Sequence, residues 1–471
     1  MNKFCLQTNT AYYNDLTEML MAFAPYVVID LDASILFLSQ KYNNNELNTE
    51  IIIDGVNVVN RIDTINTTDD IIRKRLEKRF AKFVLYQYLS SVTSKSLPWG
   101  SLTGIRPTKL AYELINEYGE NGINRLSSEF FVSDLKVDLV KRIIDEQRGI
   151  REIDEKNVDL FVNIPFCVSR CSYCSFLSGI LPQKKKYVLP YVENLIKEID
   201  LAKRIIKSNS LNLRAIYIGG GTPTALSVDE IRPVLKELSE INAFEFTVES
   251  GRPDTITSEK LELFKDYGVN RICVNPQTFN DKTLTLINRK HTVKQIYETY
   301  DLALNYGFDI NMDLIAMLPD ETEKDILNSV TCAAKLAPAN VTLHTLALKR
   351  GSVFSEKMYN NFSVDAQRII ENAYKILTDY GYNPYYLYRQ KYTSGNLENT
   401  GYTKRGKACV YNVDIMEETT SILVAGAGAI AKRVYDGGAR IERCANVKSI
   451  EEYVNCFDTV FEKQTKFWEI E

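Results

Sequence analysis

The sequence predicts an α/β fold: a partial (β/α)6 barrel with an N-terminal α+β domain and a C-terminal α+β extension. From about residue 158 to residue 350, short apolar runs alternate with longer amphipathic segments. Such alternation of buried strands with helices is typical of a parallel sheet, open or closed into a barrel. Six strand–helix units can be counted in this region, which is short of a complete barrel.

Each unit combines an apolar run with the amphipathic segment that follows it. The predicted strands are Leu160–Ile164, Ala215–Ile218, Phe244–Val248, Arg271–Asn275, Asp309–Ile315 and Val341–Leu346. The predicted helices include Val188–Ile206, Asp229–Glu240, Ser258–Asp266, Lys294–Tyr306 and Lys324–Leu336. Ligands of parallel α/β sheets bind at the carboxyl ends of the strands, so functional residues are expected in the loops after these runs.

Residues 1–155 are predicted to form a separate α+β domain, to which the sequence assigns no role. Runs rich in β-branched and aromatic residues predict short strands at Tyr26–Asp30, Ile35–Leu38 and Glu50–Val56. Thr68 predicts a helix start, and apolar residues recur after it at helical spacing, namely Ile72, Leu76, Phe80, Phe83 and Tyr88. Residues 156–350 form the predicted barrel core, and residues 351–471 a C-terminal domain expected to cover the substrate.

Composition excludes several classes of protein. The chain has 471 residues, 45% of them hydrophobic, and a net charge of −4, which excludes disorder as the main state and disfavours bulk nucleic-acid binding. One predicted helix carries a basic run made of Arg73, Lys74, Arg75, Lys78, Arg79 and Lys82. Such a run can bind RNA or an acidic partner, but a solvated helix face is the commoner reason for it and is favoured.

The sequence also bears on cellular location. No stretch approaches the roughly 18 consecutive apolar residues of a membrane span, and the first residues lack the apolar stretch of a signal peptide. Nine cysteines, an odd number in a long chain, do not indicate a secreted disulfide framework. We therefore expect a soluble cytoplasmic protein.

Three of the cysteines form the most informative motif. Cys167, Cys171 and Cys174 follow the first predicted barrel strand at the spacing Cys-x3-Cys-x2-Cys. Thiolates favour zinc and iron–sulfur clusters, and zinc needs a fourth ligand; His291 and His344 are both far along the chain. A [4Fe–4S] cluster held by three cysteines leaves one iron open to a small chelator such as S-adenosylmethionine (SAM). We favour the cluster, with zinc as the alternative.

Polar residues follow the next strands at the same predicted edge. The glycines Gly219-Gly220-Gly221 before Thr222 let a ligand approach the backbone closely. Glu249 and Gln277 end the third and fourth strands, and Asp313 lies on the fifth. Arg289 can pair with the SAM carboxylate as a bidentate fork. Together these residues predict a site for a polar nucleoside.

The cysteine motif, with Tyr173 before the last cysteine, resembles the signature of the radical SAM superfamily. Five further segments are similar to the oxygen-independent coproporphyrinogen III oxidase group and so narrow the resemblance to that group. They are residues 163–167, 219–224, 276–280, 288–291 and 313–321. Residues 102–109, 344–350 and 388–391 resemble its HemZ-type branch, so the resemblance covers nearly the whole chain. It implies that SAM is contacted by Tyr173, Gly220, Gly221, Thr222, Glu249, Gln277, Arg289 and Asp313.

The resemblance also implies an activity in anaerobic porphyrin and haem biosynthesis. The group uses one electron, from a flavodoxin- or ferredoxin-type donor, to cleave SAM to a 5′-deoxyadenosyl radical. That radical oxidatively decarboxylates two propionates of coproporphyrinogen III to vinyl groups. Propionates need cationic partners, and Arg389, Lys391 and Arg405 are the candidates; tyrosines of the segment 382–402 are candidates for stacking on pyrroles or, equally, for packing the C-terminal domain.

Two departures from the group leave other functions open. Phe161 and Asn163 occupy positions at which the oxidases of the group carry Tyr and His. Phe176 occupies a position at which they carry a further cysteine. One alternative is a haem chaperone, for which His344 or Cys409 is a possible axial ligand. The other alternative is a radical SAM enzyme that acts on another tetrapyrrole or on RNA.

Overall fold

The computed structural model describes residues 2–24, 26–103, 106–176, 178–347, 352–356, 365–390 and 397–468. The chain divides into two compact units. The N-terminal unit contains Met1–Arg142 with Arg389–Leu397, and the barrel unit contains Ile143–Tyr388 with Glu398–Glu471. No helix in the described ranges is long and apolar enough to cross a membrane.

The N-terminal unit contains a five-stranded sheet with the order β2-β1-β3-β4-β5. Its strands are β1 (Asn2–Thr8), β2 (Val27–Ile29), β3 (Ser34–Asn43), β4 (Glu46–Ile53) and β5 (Val56–Thr64). Strand β1 runs parallel to β2 and β3, and the other neighbours are antiparallel. The sequence analysis did not predict β1 or β5. Strand β5 is an edge strand with mostly exposed side chains, so its sequence lacks the apolar bias of a buried strand.

Helices α1 (Tyr13–Ala22) and α2 (Asp70–Thr93) pack on this sheet through a shared apolar core that includes Leu16, Leu85 and Leu36. Helices α3 (Pro107–Tyr118), α4 (Arg125–Phe130) and α5 (Asp134–Glu146) follow along the chain. The N-cap of α2 is Asp69, one residue after Thr68, because the Asp69 carboxylate accepts the Ile71 and Ile72 N–H groups. Its buried residues, among them Val84 and Leu85, lie in its second half, whereas Ile72 is 45% exposed.

Most of the basic residues of α2 have partners within the N-terminal unit. Arg73 pairs with Asp70, Lys78 lies 3.5 Å from Asp15, and Lys82 donates to the Thr103 hydroxyl at 2.8 Å. Arg75 forms an ion pair with Glu113, and the Arg79 guanidinium lies over the Phe130 ring. Five of the six basic residues of the run therefore contact groups within the N-terminal unit itself.

The barrel unit is built on an open sheet of eleven strands, ordered β14-β15-β13-β12-β11-β10-β9-β6-β16-β17-β18. All six predicted barrel strands are present and parallel: β6 (Asn157–Ile164), β9 (Asn212–Gly220), β10 (Glu245–Gly251), β11 (Arg271–Val274), β12 (Asp309–Ala316) and β13 (Asn340–Thr345). The others are β14 (Asn383–Arg389), β15 (Glu398–Thr403), β16 (Ser421–Ala425), β17 (Ile430–Tyr435) and β18 (Arg440–Ala445), and a small separate sheet pairs β7 (Phe166–Cys167) with β8 (Gly179–Ile180).

The helices predicted after the barrel strands are present as α6 (Val188–Ser208), α7 (Val228–Leu238), α8 (Ser258–Asp266), α10 (Val293–Asn305) and α11 (Glu323–Leu336). The described residues also contain α9 (Asp281–Leu286), α12 (Val353–Glu356), α13 (Ala366–Asp379), α14 (Val410–Glu417), α15 (Ile450–Asn455) and α16 (Phe457–Trp468). Capping boxes at Ser227, Thr292 and Thr322 begin α7, α10 and α11. These caps mark where each strand-end loop stops.

A seventh parallel strand, β16, extends the sheet beyond the six that the sequence predicts. It pairs with β6 in the register Ser421↔Val158 to Ala425↔Val162. The glycine after it approaches the end of β6 so closely that a Cβ on Gly426 would lie 2.3 Å from the Asn163 carbonyl oxygen. The Asn163 amide also donates to the Ala427 carbonyl. Residue 163, one of the departures from the oxidase group, therefore joins two neighbouring strand ends.

Candidate active site

The three cysteines lie on one loop at the carboxyl end of β6. The base of this loop is closed by the β7–β8 pair, in which the Gly179 N–H donates to the Pro165 carbonyl at 2.7 Å. Within the loop, the Cys174 N–H donates to the Cys171 carbonyl at 3.1 Å. All three thiols are half-buried and form no disulfide.

The glycine segment after β9 packs directly against this loop. The Gly221 N–H donates to the Ile164 carbonyl at 3.0 Å, and the Thr222 N–H to the Phe166 carbonyl at 2.8 Å. A Cβ on Gly221 would lie 2.6 Å from the Phe166 oxygen and 3.1 Å from the Cys167 sulfur. Glycine is therefore required at 221 by close packing, and the Thr222 hydroxyl lies 3.5 Å from the same sulfur.

Two further residues, one after β10 and one after α9, hold the cysteine loop from the barrel side. Arg252, which is 2% exposed, donates to the Ser169 hydroxyl at 2.7 Å and forms a bidentate pair with Asp254. The Asn288 amide donates to the Arg170 carbonyl at 2.7 Å. Neither residue is among the site residues predicted from the sequence. The motif Asn-Arg-Lys-His at 288–291 could have indicated Asn288, but nothing local indicates that Arg252 reaches residue 169.

Arg289 connects the loop to two strand ends. Its Nη1 donates to the Gly251 and Asn275 carbonyls at 3.2 and 3.1 Å, and its Nη2 donates to the Tyr173 hydroxyl at 3.0 Å. The Nε of Arg289 is buried and has no hydrogen-bond partner among the described residues. Burial of the hydroxyl raises the pKa of Tyr173, so this phenol stays neutral and accepts the guanidinium hydrogen bond.

Glu249 places a carboxyl group beside the glycine segment, and Asp313 lies close enough to Glu249 to affect its pKa. A Cβ on Gly219 would lie 2.9 Å from Glu249 Oε2. Burial and the charge of Asp313 together raise the pKa of Glu249 to about 8, against the opposing effects of the Gly220 N–H and of Arg289. Glu249 is therefore largely protonated at neutral pH and can donate a hydrogen bond as well as accept one.

Gln277 and Asp313 are held together by backbone pairing. The Gln277 N–H donates to the Asp313 carbonyl at 2.9 Å, and the Asp313 N–H donates to the Asn275 side chain at 3.1 Å. Gln277 adopts a φ of +68°, and its side-chain oxygen is buried without a partner among the described residues. His344 follows on β13, with Nε2 3.8 Å from Asp313 Oδ2 and Nδ1 3.1 Å from the Tyr388 hydroxyl.

The donor set fits an iron–sulfur cluster with a polar ligand beside it. Burial raises the pKa of the Cys174 thiol, and Cys171 and Cys167 raise it further, as expected of three thiols grouped on one loop. The unpartnered atoms of Gln277 and Arg289 suit a polar ligand. Within the described ranges, no three His, Cys, Asp or Glu side chains are close enough together to surround a single metal ion.

Of the three predicted substrate cations, Arg405 does not join this group. Arg405 follows β15, whose Thr403 pairs with Asn340, the first residue of β13; Arg405 therefore lies at the amino edge of the parallel strands. Arg389 belongs to the N-terminal unit, where it donates to the Leu102 carbonyl at 2.5 Å and stacks on Trp99. Lys391 lies outside the described residues.

Most of the tyrosines of segment 382–402 are packing residues of the barrel unit. Tyr382 donates to the Pro338 carbonyl at 2.7 Å, Tyr386 shares a 3.0 Å hydrogen bond with Thr342, and Tyr385 accepts one from Asn412. Tyr402 is also buried, and Tyr392 lies outside the described residues. Of those described, Tyr388 is the one that reaches the site, through His344.

Comparison with known proteins identifies the class. The family model described as the radical SAM superfamily matches residues 162–333, the range that contains the cysteine loop and the glycine segment. In fold, the chain is similar to the coproporphyrinogen III oxidase HemN of Escherichia coli, a radical SAM enzyme, with a TM-score of 0.52 at 22% identity over 66% of this chain and 71% of that one. The fold is that of a radical SAM protein.

Sequence relatives define the family within that class. The chain is 34% identical over 420 residues to the oxygen-independent coproporphyrinogen-III oxidase-like protein HemZ of Bacillus subtilis. The matched residues cover 85% of this chain and 83% of that protein. It is also 28% identical over 306 residues to the heme chaperone HemW of Haemophilus influenzae, covering 63% of this chain and 76% of that protein. The chain therefore belongs to the radical SAM superfamily, in the HemZ-type branch of the oxygen-independent coproporphyrinogen III oxidase group.

Proposed function

We propose that this chain is a radical SAM oxidoreductase that decarboxylates two propionates of coproporphyrinogen III to vinyl groups. The observation that carries the proposal is the convergence, at one edge of the sheet, of the three-cysteine loop with Gly221, Glu249, Arg289 and Asp313. The similarity to HemZ over most of both chains supports the substrate class. The family implies a [4Fe–4S] cluster and SAM as cofactors.

In this proposal each strand end has a separate task. Cys167, Cys171 and Cys174 hold the cluster, and Gly220 and Gly221 let the methionine end of SAM lie against the backbone. The guanidinium of Arg289 is fixed by three protein acceptors and offers its remaining N–H groups to the SAM carboxylate. Glu249, Gln277 and Asp313 supply hydrogen-bonding groups for the amino group and the ribose.

The cofactors supply the hydrogen-abstracting radical, and the protein orients the reacting groups and excludes water. Protonated Glu249 keeps negative charge low beside Asp313. The half-buried Tyr388–His344 pair holds Asp313 from the next strand. Lys391 and Arg389 remain the predicted cationic partners of the substrate carboxylates. Arg405 is no longer a candidate, because it lies at the amino edge of the parallel strands.

The test is an anaerobic turnover assay. The protein is reconstituted with iron and sulfide and supplied with SAM, dithionite and coproporphyrinogen III, and 5′-deoxyadenosine and the decarboxylated tetrapyrroles are followed by mass spectrometry. Both products are expected together, and both should be lost in Cys171→Ala. Formation of 5′-deoxyadenosine without decarboxylation would contradict the substrate while leaving the radical SAM assignment in place.

A haem chaperone is the second candidate, because several HemW proteins are relatives of this chain. Of the two axial ligands considered, Cys409 is buried and its thiol donates to Glu245 at 3.0 Å, at the amino end of β10. His344 lies at the carboxyl edge and is half-exposed, so it is the better placed ligand.

Haem titration of the wild type and of His344→Ala separates the two functions. Stoichiometric haem binding with a His-ligated Soret spectrum, lost in the variant and accompanied by no decarboxylation, would favour the chaperone. Weak haem binding that is equal in both proteins supports the oxidase. Cys409→Ser is the matched control, since it removes the ligand candidate at the opposite edge of the sheet.

A further inference from the structure

The cysteine loop reaches the protein surface beside a group of cations and apolar side chains. Arg170 and Phe176 come from the loop itself, and Lys282, Leu286 and Lys290 come from the segment after β11; all five residues are exposed. Phe176 is 66% exposed and Leu286 is 43% exposed. We call these five residues the loop patch.

Hydrogen bonds make the two segments of the loop patch one continuous surface. The Ser172 N–H donates to the Ile287 carbonyl at 3.0 Å, and the Asn288 amide donates to the Arg170 carbonyl at 2.7 Å. Lys282 and Leu286 are four residues apart on α9 and therefore share a helix face. The patch thus has a defined shape and adjoins two of the cysteines in sequence.

The charge of the loop patch is opposite to that of the whole chain. Arg170, Lys282 and Lys290 are cations, and the carboxylate within the same segment, Asp281, accepts the Val293 N–H at 2.8 Å. The chain as a whole has a net charge of −4. A cationic surface with exposed Phe and Leu side chains suits a partner that is acidic around a small apolar centre, because complementary charge steers association and aromatic residues supply contact area.

We propose that the loop patch is the docking surface for a small acidic protein that carries one electron. This inference rests on the proposed function, since the cluster must be reduced before SAM is cleaved. The transfer moves one electron from the reduced carrier to the cluster, so the carrier is oxidised and the cluster reduced, and no bond forms or breaks. Docking at the loop patch brings the carrier against the segment that holds the cluster ligands.

The test compares a protein reductant with a small-molecule reductant. Lys282→Glu/Lys290→Glu reverses two charges of the loop patch, and Lys236→Glu/Lys335→Glu makes the same change on exposed lysines of α7 and α11. Bacterial flavodoxin hydroquinone and dithionite each reduce the reconstituted cluster, which is followed by absorbance and EPR. Binding of oxidised flavodoxin is measured by calorimetry at two salt concentrations.

We expect the loop-patch variant to bind flavodoxin roughly tenfold more weakly than the wild type does. Flavodoxin should also reduce the cluster of this variant roughly tenfold more slowly. Dithionite reduction should be unchanged, and the wild-type affinity should fall with salt. The milder Lys282→Gln/Lys290→Gln variant should give a smaller loss. Equal flavodoxin binding in all variants, or an equal loss with both reductants, overturns the docking proposal. SAM cleavage driven by dithionite tests the proposed function separately.

Discussion

The Arg252 guanidinium donates to the Ser169 hydroxyl over 2.7 Å, and Ser169 lies between Cys167 and Cys171. The contact joins the end of the third barrel strand to the loop that carries the three cysteines. Since Asp254 holds the same guanidinium from the other side, Arg252 is a rigid bridge. We infer that it positions the cysteine loop and places a positive charge near the cluster.

Replacement of Arg252 should therefore weaken cluster assembly. Groups that orient metal ligands typically contribute roughly 10–100-fold in metal affinity, so Arg252→Gln should reconstitute with several-fold less iron and sulfide per chain. Loss of the positive charge should also lower the reduction potential measured by EPR titration. Arg252→Lys should keep the potential near that of the wild type while still losing cluster content, because lysine keeps the charge but not the planar fork.

Arg232→Gln is the control for this prediction, because it removes one charge from the exposed side of α7. It should assemble a normal cluster. An unchanged potential and iron content in Arg252→Gln would show that the bridge to Ser169 has no part in positioning the cluster.

A methyl group at residue 221 should separate the glycine segment from the cysteine loop. The added Cβ would lie 2.6 Å from the Phe166 carbonyl oxygen and 2.9 Å from its nitrogen, so backbone must move. Gly221→Ala should consequently lose most of its cluster and SAM binding, measured by iron content and equilibrium dialysis. Gly268→Ala places a methyl group in open space at a φ of +81° and controls for general destabilisation. Normal SAM binding by Gly221→Ala would rule out the close contact.

Arg289 should be needed for SAM affinity rather than for cluster assembly. Hydrogen bonds to charged groups contribute about 1.5–3 kcal/mol, so Arg289→Lys should bind SAM roughly tenfold more weakly or worse in calorimetry. Tyr173→Phe removes one acceptor of the guanidinium and should cause a smaller loss. Iron content should stay near normal in both proteins, and undiminished SAM affinity in Arg289→Lys would remove Arg289 from the proposed site.

The raised pKa of Glu249 makes the stability of the cluster-free protein depend on pH. The ordinary value for this group is 4.5, and burial raises its pKa to about 8 in the folded chain. Between these values the folded state binds more protons than the unfolded state, so the free energy of unfolding falls as pH rises. The stabilisation is fully present below pH 4.5 and is lost as pH rises through about 8.

Thermal unfolding from pH 5 to 8.5 measures this effect. Glu249→Gln cannot ionise and should show a smaller fall in Tm, by several degrees, over the range. Glu259→Gln, which changes an exposed residue of α8, should follow the wild type. Parallel Tm curves for the wild type and Glu249→Gln would contradict a buried, protonated carboxyl.

Spacing along the chain was enough to predict the ligand set and the parallel strands. Cys167, Cys171 and Cys174 share one short loop, so their grouping depends on local spacing, and the six apolar runs are recognisable because both faces of a parallel strand are buried. A partial α/β barrel was predicted from these features, and the resemblance to the radical SAM superfamily is confirmed by the comparisons. The roles of the individual SAM and substrate residues remain predictions.

Tertiary structure decided the contacts between distant segments. The Arg252–Ser169 bridge spans 83 residues, and β16 joins β6 across more than half of the barrel unit's sequence. Arg405 was assigned to the substrate from its charge, yet the antiparallel direction of β15 puts it at the far edge of the sheet. Strand direction and register are set by burial and pairing between remote segments, and no local pattern of residues encodes them.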